Sequence, residues 1–129
     1  MHQCPLKVRS YECDLYNHVN HAVYLNYLEY ARVEMLKDNG IDFFEMAAQG
    51  IQLVISEIQI KYISSALADD ELVIQSVSLE SGAAYGLLSQ TILRGEETLT
   101  TAQVKFVCTD KLGRPRRFDQ KLKNLFRPA

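Results

Sequence analysis

One short stretch of the chain concentrates the side chains that could do chemistry, residues 11–24, which read YECDLYNHVNHAVY. An acid, Asp14, and two histidines, His18 and His21, lie between a strand-like segment and a helix-like segment. The first amides of a helix lack acceptors and carry a partial charge of roughly +0.5, so they can bind an anion or polarise a carbonyl. A carboxylate on the preceding loop could face that carbonyl as a base or a nucleophile.

The same side chains also have structural explanations. Asp14 could equally be a turn or capping residue, and isolated histidines are more often structural than catalytic. A zinc site built from Cys13, His18 and His21 matches no standard ligand spacing and lacks a fourth ligand. We therefore predict no metal, and the residues alone leave the role of Asp14 open.

The elements that must position this stretch are a strand before it and a helix after it. Alternating apolar residues predict a strand at Leu6–Glu12. Asn20 is predicted as a helix N-cap, because its side-chain oxygen can accept from the free amides of the next turn. Apolar residues spaced three and four apart, with no Gly or Pro, predict a helix over His21–Asp38 that ends at Gly40.

After this helix the pattern changes to a series of strands. Asp42 and Glu45 form a capping-box pattern and predict a short helix over Phe43–Gln49. The strand Ile51–Ile63 switches its apolar face near Ser56, which suggests a bulge or burial on both faces. The other predicted elements are strands at Glu71–Ser81, Tyr85–Arg94 and Thr98–Cys108, and one or two turns of helix within Asp119–Phe126.

The size and the order of these elements define one domain, residues 1–129, of the α+β class. The chain has 129 residues, of which 47% are hydrophobic and 23% charged, as in ordinary globular proteins. Consecutive strands joined by turns predict a mainly antiparallel sheet. The helix is apolar over too wide an arc to lie on an open surface, so we expect the sheet to wrap around it. That arrangement leaves a sheet edge that dimerisation would cover.

Composition excludes several classes of function. A net charge of −2 gives no basic excess with which to bind nucleic acid. The apolar runs are far shorter than the ~20 residues that span a bilayer, and the N-terminal residues lack the pattern of a secretory signal. Three cysteines without paired spacing predict reduced thiols and a cytoplasmic protein.

The chemistry-bearing stretch resembles a known family signature. The matching residues are VRSYECD at 8–14, HVNHAVY at 18–24, Tyr27, Glu29 and Ala31-Arg32, with AQVKFV at 102–107 and GRP at 113–115. Together they are similar to the hot-dog-fold acyl-CoA thioesterases, and more closely to the 4-hydroxybenzoyl-CoA thioesterase-like branch. The resemblance covers nearly the whole chain.

This resemblance implies a five- or six-stranded antiparallel sheet wrapped around one long central helix. It also implies dimers that join their sheets edge to edge, assembly into homotetramers, and active sites at the dimer interface. Asp14 takes the position of the catalytic carboxylate, and the backbone amide of His21 takes that of the group that polarises the thioester carbonyl. Many relatives have Asn where this chain has His21, so a direct role for the imidazole is less secure than that of the amide.

The resemblance also implies a reaction, the hydrolysis of an acyl-CoA to a free acid and CoA without a cofactor. The leaving thiol has a pKa of roughly 8–9, so strong acid catalysis is optional and a base or nucleophile is enough. Asp14 could serve as either. The candidate substrate-binding residues are Asn20, Tyr24, Lys61 and Arg116. Arg94 is a further candidate for the CoA phosphates, and Leu28, Val54, Ile55 and Ile58 are candidates for an acyl tunnel.

Three other functions remain open from the sequence. The substrate could be a carrier-protein thioester rather than free CoA. An Asp/His pair could instead serve a hydratase, although the motif fits a thioesterase better. A subunit that binds acyl-CoA without hydrolysing it would need no catalytic role for Asp14.

Overall fold

The computed structural model describes residues 1–128 and forms one five-stranded antiparallel sheet with order β1-β3-β4-β5-β2. The strands are β1 (His2–Lys7), β2 (Gln52–Tyr62), β3 (Glu71–Ser81), β4 (Tyr85–Arg94) and β5 (Glu97–Thr109). The helices are α1 (Val23–Asp38), α2 (Phe43–Ala48) and α3 (Gln120–Leu125), with one turn of 3-10 helix at Ser10–Glu12. Among residues 1–128, no helix has the length and apolar character needed to cross a membrane.

The first strand begins and ends earlier than the sequence predicts. It covers His2–Lys7 and pairs with β3, rather than covering Leu6–Glu12. Pro5 is tolerated because β1 is an edge strand, where a missing amide need not break the ladder. The chain then leaves the sheet, and the Glu12 carboxylate accepts the Arg9 amide at 2.7 Å to close the 3-10 turn.

The long helix begins two residues later than predicted. Its first residue is Val23, with Ala22 rather than Asn20 at the N-cap position. The Asn20 side-chain oxygen accepts the Ala22 amide at 3.0 Å, so it closes a turn just before the helix. The prediction of Asn20 as the N-cap is therefore wrong in position, although its side chain does bind a free amide as expected.

The second edge strand, β2, contains the predicted irregularity. Its register against β5 shifts between Ile55 and Glu57, which is a β-bulge. The residues of β5 alternate between the two faces of the sheet, since Val104 and Phe106 are buried while Gln103 and Lys105 are exposed. The edge of β2 that faces away from β5 pairs with no strand of residues 1–128.

The core lies between one face of α1 and the sheet. The buried residues of α1 are Tyr24, Tyr27, Leu28, Ala31, Met35 and Leu36. Leu25 and Tyr30, on either side of this buried face, are 38% and 45% exposed. The sheet thus packs against one face of α1, as the sequence predicts, and leaves these two side chains partly exposed.

Candidate active site

The loop between the 3-10 turn and α1 is a closed structure centred on Asp14. The Asp14 amide donates to the His18 carbonyl at 2.8 Å. Its Oδ1 accepts the amides of Tyr16 and His18 at 2.9 and 3.1 Å, while Asn17 takes a positive φ of 61°. Asp14 is exposed, and its Oδ2 accepts no hydrogen bond from residues 1–128. One carboxylate oxygen therefore holds the turn, and the other is free.

The chain between this loop and α1 contains one amide without a partner. The amide of Asn20 donates to the Glu12 carbonyl at 3.0 Å, and the amide of Ala22 donates to the Asn20 side chain at the same distance. The amide of Val23 donates to the Asn20 carbonyl at 2.9 Å. The amide of His21, between them, has no acceptor among residues 1–128. The amide that the family resemblance singles out is thus among the amides at the helix start that lack an acceptor.

Tyr62, the last residue of β2, also contacts His21. The Tyr62 hydroxyl donates to the His21 carbonyl at 2.9 Å. Its ring meets the buried ring of Tyr24 edge to face, with 5.3 Å between the centroids. The Tyr24 hydroxyl in turn accepts the Ala66 amide at 3.0 Å. Tyr24, a predicted substrate-binding residue, therefore lies in the core and supports the helix start from beneath.

Glu12 joins the loop to the helix from the other side. Its Oε1 accepts the Tyr27 hydroxyl at 2.9 Å, and its carbonyl accepts the Asn20 amide. Burial of Tyr27, together with its hydrogen bond to the Glu12 carboxylate, raises the pKa of the phenol far above its usual value. Tyr27 therefore stays protonated and donates. The sequence alone does not single out Glu12, because its partner Tyr27 is 15 residues away.

A second loop, residues 63–70, lies against the Asp14 loop. The Val19 amide donates to the Ala66 carbonyl at 2.9 Å. Arg94 holds this second loop, because it donates to Asp70 Oδ2 at 2.6 Å and to the Ser65 carbonyl at 3.2 Å. Arg94 also donates to both carboxylate oxygens of Glu97. Two carboxylates thus neutralise Arg94, and it is not free to bind the CoA phosphates.

The two other predicted phosphate-binding residues lie far apart in one chain. Lys61 is exposed on β2 and precedes Tyr62, but successive strand residues point to opposite faces of the sheet. Arg116 is exposed, but its amide donates to the Cys108 carbonyl and its guanidinium reaches the Gln49 carbonyl at 3.5 Å, at the opposite end of β2. Within a single protomer, Lys61 shares the end of β2 at which Tyr62 contacts His21, and Arg116 does not.

The predicted acyl-binding residues divide into two groups. Leu28 is fully buried in the core, whereas Val54 and Ile55 are exposed on the β2 edge at 45% and 38%. A cavity of about 100 Å³ lies between the second half of α1 and the sheet, and Ile55 is the member of the predicted set that lines it. The other lining residues include Glu29, Arg32, Leu36, Phe43, Leu53 and Phe106.

The polar side chains around this cavity form hydrogen bonds across the core. Arg32 donates to the buried Gln90 side chain at 3.0 Å. Gln90 also donates to the Leu28 carbonyl and to Ser76, so a buried polar network ties α1 to the sheet. Within residues 1–128 no group of three or more His, Cys, Asp and Glu could hold a metal ion.

Comparison with known proteins assigns this arrangement to a family. The family model of the thioesterase-like superfamily matches residues 8–126. The long-chain acyl-CoA thioesterase FadM of Escherichia coli is 39% identical over 110 residues, which are 84% of this chain and 83% of FadM. The acyl-acyl carrier protein thioesterase ATL3 of Arabidopsis thaliana is 33% identical over 127 residues, which are 97% of this chain and 67% of ATL3. The crystal structure of YbaW, a probable thioesterase from Escherichia coli, superposes with a TM-score of 0.80 at 35% identity, covering 95% and 94% of the two chains.

The chain belongs to the thioesterase-like superfamily and has the hot-dog fold. The expectation drawn from the sequence resemblance is thereby confirmed for the family, the fold and the class of enzyme, a thioester hydrolase. The catalytic roles of Asp14 and His21 stay predictions.

Proposed function

We propose that this enzyme hydrolyses acyl-CoA thioesters, with Asp14 as the general base or nucleophile and the His21 amide as the group that polarises the thioester carbonyl. The thioester oxygen accepts the free His21 N–H, and the free Oδ2 of Asp14 faces the carbonyl carbon. The similarity to FadM, a long-chain acyl-CoA thioesterase, supports the substrate class. The single observation that carries the mechanism is that the His21 amide is unpaired between three amides that are paired.

In the general-base route, Asp14 removes a proton from water as the water oxygen attacks the carbonyl carbon. The negative charge that develops on the carbonyl oxygen is stabilised by the His21 amide, and one such donor is typically worth about 3–4 kcal/mol. The tetrahedral intermediate collapses, the carbon–sulfur bond breaks, and CoA leaves as a thiolate. In the nucleophilic route, Asp14 attacks the carbonyl carbon itself, CoA leaves, and water then hydrolyses the resulting anhydride. The imidazole of His21 is exposed and could assist either route.

The remaining predicted binding residues take supporting roles in this proposal. Asn20 sets the turn that presents the His21 amide, and Tyr24 supports that turn through Tyr62. Lys61, exposed at the same end of β2 as Tyr62, binds a phosphate of CoA in this proposal. Arg116 reaches the site only from a second protomer, because it lies at the other end of β2.

A homodimer joined along the free edge of β2 completes this arrangement. The exposed Val54 and Ile55 on that edge, and the exposed Leu25 and Tyr30 on α1, are surfaces that a second protomer would cover. We propose that such dimers associate further into a homotetramer. The three cysteines are free thiols, which suits a cytoplasmic enzyme.

The test is a panel of acyl-CoAs that differ in chain length, with aromatic acyl groups included, and with release of free CoA thiol as the readout. The proposal expects turnover of at least one acyl-CoA by the purified wild-type enzyme. An enzyme that binds acyl-CoAs but releases no thiol from any of them would be the non-catalytic subunit that the sequence leaves open.

A further inference from the structure

The positive charge of this protein is concentrated in one segment, which we call the basic tail (residues 110–127). Seven of the 14 Lys and Arg residues lie in it, with only two of the 16 acidic residues. Its net charge is therefore +5, whereas residues 1–109 carry −7. A chain with an overall charge of −2 thus presents a strongly basic surface at one place.

Most of this charge is uncompensated. The seven cations, all exposed, are Lys111, Arg114, Arg116, Arg117, Lys121, Lys123 and Arg127. Among residues 1–128, Arg114 is the only one of them with a carboxylate within 4.0 Å, and its partner is Asp110 at 2.9 Å. The other acid of the tail, Asp119, accepts the Leu122 amide at the start of α3. Besides Arg116, which the proposed function assigns to CoA, five cations are therefore available to a negatively charged partner.

The cations form a broad surface and do not converge on a point. Lys121 and Lys123 flank the buried Leu122 on α3, and residues two apart on a helix point about 200° away from each other. Leu112, at the tip of the turn that precedes α3, is 77% exposed among the basic residues. A single nucleotide cannot engage cations that point in different directions. An extended acidic protein surface can, and it would also cover the exposed leucine.

The basic tail lies too far from the site of its own protomer to present a substrate there. It begins directly after Thr109, which pairs with Gln52, whereas His21 is held by Tyr62 at the other end of β2. At ~3.3 Å per residue, the ends of this strand are about 30 Å apart. Antiparallel pairing of β2 with a second copy of itself reverses this relation and places the Gln52 end of one protomer beside the Tyr62 end of the other.

From this placement we infer that the basic tail is a docking surface for an acidic acyl-carrier protein, whose thioester is delivered to the active site of the partner protomer. The inference rests on the proposed thioesterase function and names a second form of its substrate. The carrier docks on one subunit, and its thioester-bearing arm reaches the Asp14 loop of the other subunit.

The first test compares two substrates that carry the same acyl group, one on CoA and one on a holo acyl-carrier protein. The triple variant Arg117→Gln, Lys121→Gln, Lys123→Gln should lose at least ~10-fold in kcat/KM for the carrier substrate, and the loss should shrink with added salt. Its kcat/KM for acyl-CoA should stay within about twofold, since the proposed function assigns CoA binding to Lys61 and Arg116 and to none of these three residues. The matched control removes three exposed cations elsewhere, Lys7→Gln, Lys37→Gln and Lys105→Gln, and should retain activity on both substrates.

The second test asks which protomer supplies the docking surface. Mixed dimers are made from one Asp14→Asn chain and one chain with the triple tail substitution. They should hydrolyse the carrier substrate at about half of the wild-type rate, because the intact tail of the first chain serves the intact Asp14 of the second chain. Mixed dimers that are no more active than the triple variant would overturn delivery between protomers.

The outcomes separate this inference from the function on which it rests. Wild-type enzyme that hydrolyses acyl-CoA but not the acyl-carrier substrate, or a triple variant that loses activity equally on both, would overturn the docking inference and leave the proposed function standing. Wild-type enzyme that hydrolyses neither thioester would overturn the proposed function itself.

Discussion

Asp14 has two separable tasks at the level of single atoms. Oδ1 closes the loop by accepting the amides of Tyr16 and His18, and this needs an acceptor oxygen but no charge. Oδ2 is free, and its proposed chemistry needs the negative charge. Both interpretations that the sequence allows for Asp14, a turn residue and a catalytic acid, are therefore compatible, because they use different oxygens.

The role of the His21 amide can be tested separately from that of the imidazole. Proline removes the backbone N–H, and at this position no hydrogen bond within residues 1–128 is lost. His21→Pro is expected to lower kcat by about 100- to 1,000-fold, the range for one lost oxyanion donor. His21→Ala keeps the amide and is expected to lose less than about tenfold.

Steady-state thiol release gives kcat for both His21 variants, and thermal unfolding shows whether each one is folded. Equal losses of kcat in His21→Pro and His21→Ala would assign the catalytic contribution to the imidazole and contradict the role of the amide.

At the scale of elements, the local parts of the site could be predicted from the sequence and the distant parts could not. Asp14 and His21 lie in one short stretch of chain that leads into α1, so the sequence alone places them on the same loop. Tyr62 lies 41 residues from its partner His21. Its position depends on the strand register and on the bulge between Ile55 and Glu57, which no short pattern specifies.

The errors in the predicted bounds of α1 and β1 have two different causes. The predicted start of α1 is two residues early because the Asn20 side chain reaches Ala22 and makes a turn where a helical cap is expected. The first strand is misplaced because Pro5 disfavours a strand in general but is accepted at a sheet edge, and edges are defined only by the whole topology.

The loop behind the site has a predictable dependence on pH. Partial burial of Asp70 acts to raise its pKa, but the hydrogen bonds from the Leu67 amide and Arg94, with the charge of Arg94, lower it below the usual value. A carboxyl group whose pKa is lowered on folding stabilises the native state above its unfolded pKa of about 3.9. That contribution is lost as the pH falls through the folded pKa.

Asp70→Asn should therefore destabilise the protein by about 1 kcal/mol at pH 7, and the difference from wild type should shrink as the pH falls below about 3.9. Urea unfolding across this pH range measures it. The neighbouring Asp69→Asn is the control, because Asp69 has a positive φ of 70°, which Asn tolerates, and no side-chain hydrogen bond within residues 1–128. A destabilisation by Asp70→Asn that is unchanged from pH 7 to pH 3 would show that charge is not its cause.

At the scale of the whole molecule, one protomer is incomplete in the same places where the proposal needs a second one. The β2 edge is unpaired within residues 1–128, Leu25 and Tyr30 on α1 are partly exposed, and Arg116 is remote from Lys61. Pairing β2 with the β2 of a second copy would fill the free edge and cover exposed side chains of α1. It would also bring Arg116 of one protomer to the Lys61 end of the other. The proposed unit of catalysis is therefore the dimer.

A lysine on the paired edge should prevent this assembly, since charged side chains on an edge strand block pairing. Val54→Lys is expected to convert the wild-type oligomer into a folded monomer with little activity, as measured by sedimentation and thiol release. Gln3→Lys places the same side chain on β1, the opposite edge, and should leave both the assembly and the activity intact. A Val54→Lys protein that sediments like the wild type would place the dimer contact elsewhere.

The central claim is that the charge of Asp14, and not its place in the turn, drives thioester hydrolysis. Asp14→Asn tests it most directly, because the asparagine oxygen can still accept the amides of Tyr16 and His18 and so preserve the loop. The measurement is kcat for thiol release from a saturating acyl-CoA, with sedimentation to confirm the assembly. The account predicts an intact oligomer whose kcat is lower by at least ~100-fold, the usual scale for a lost base. An intact oligomer that turns over at nearly the wild-type rate would contradict it.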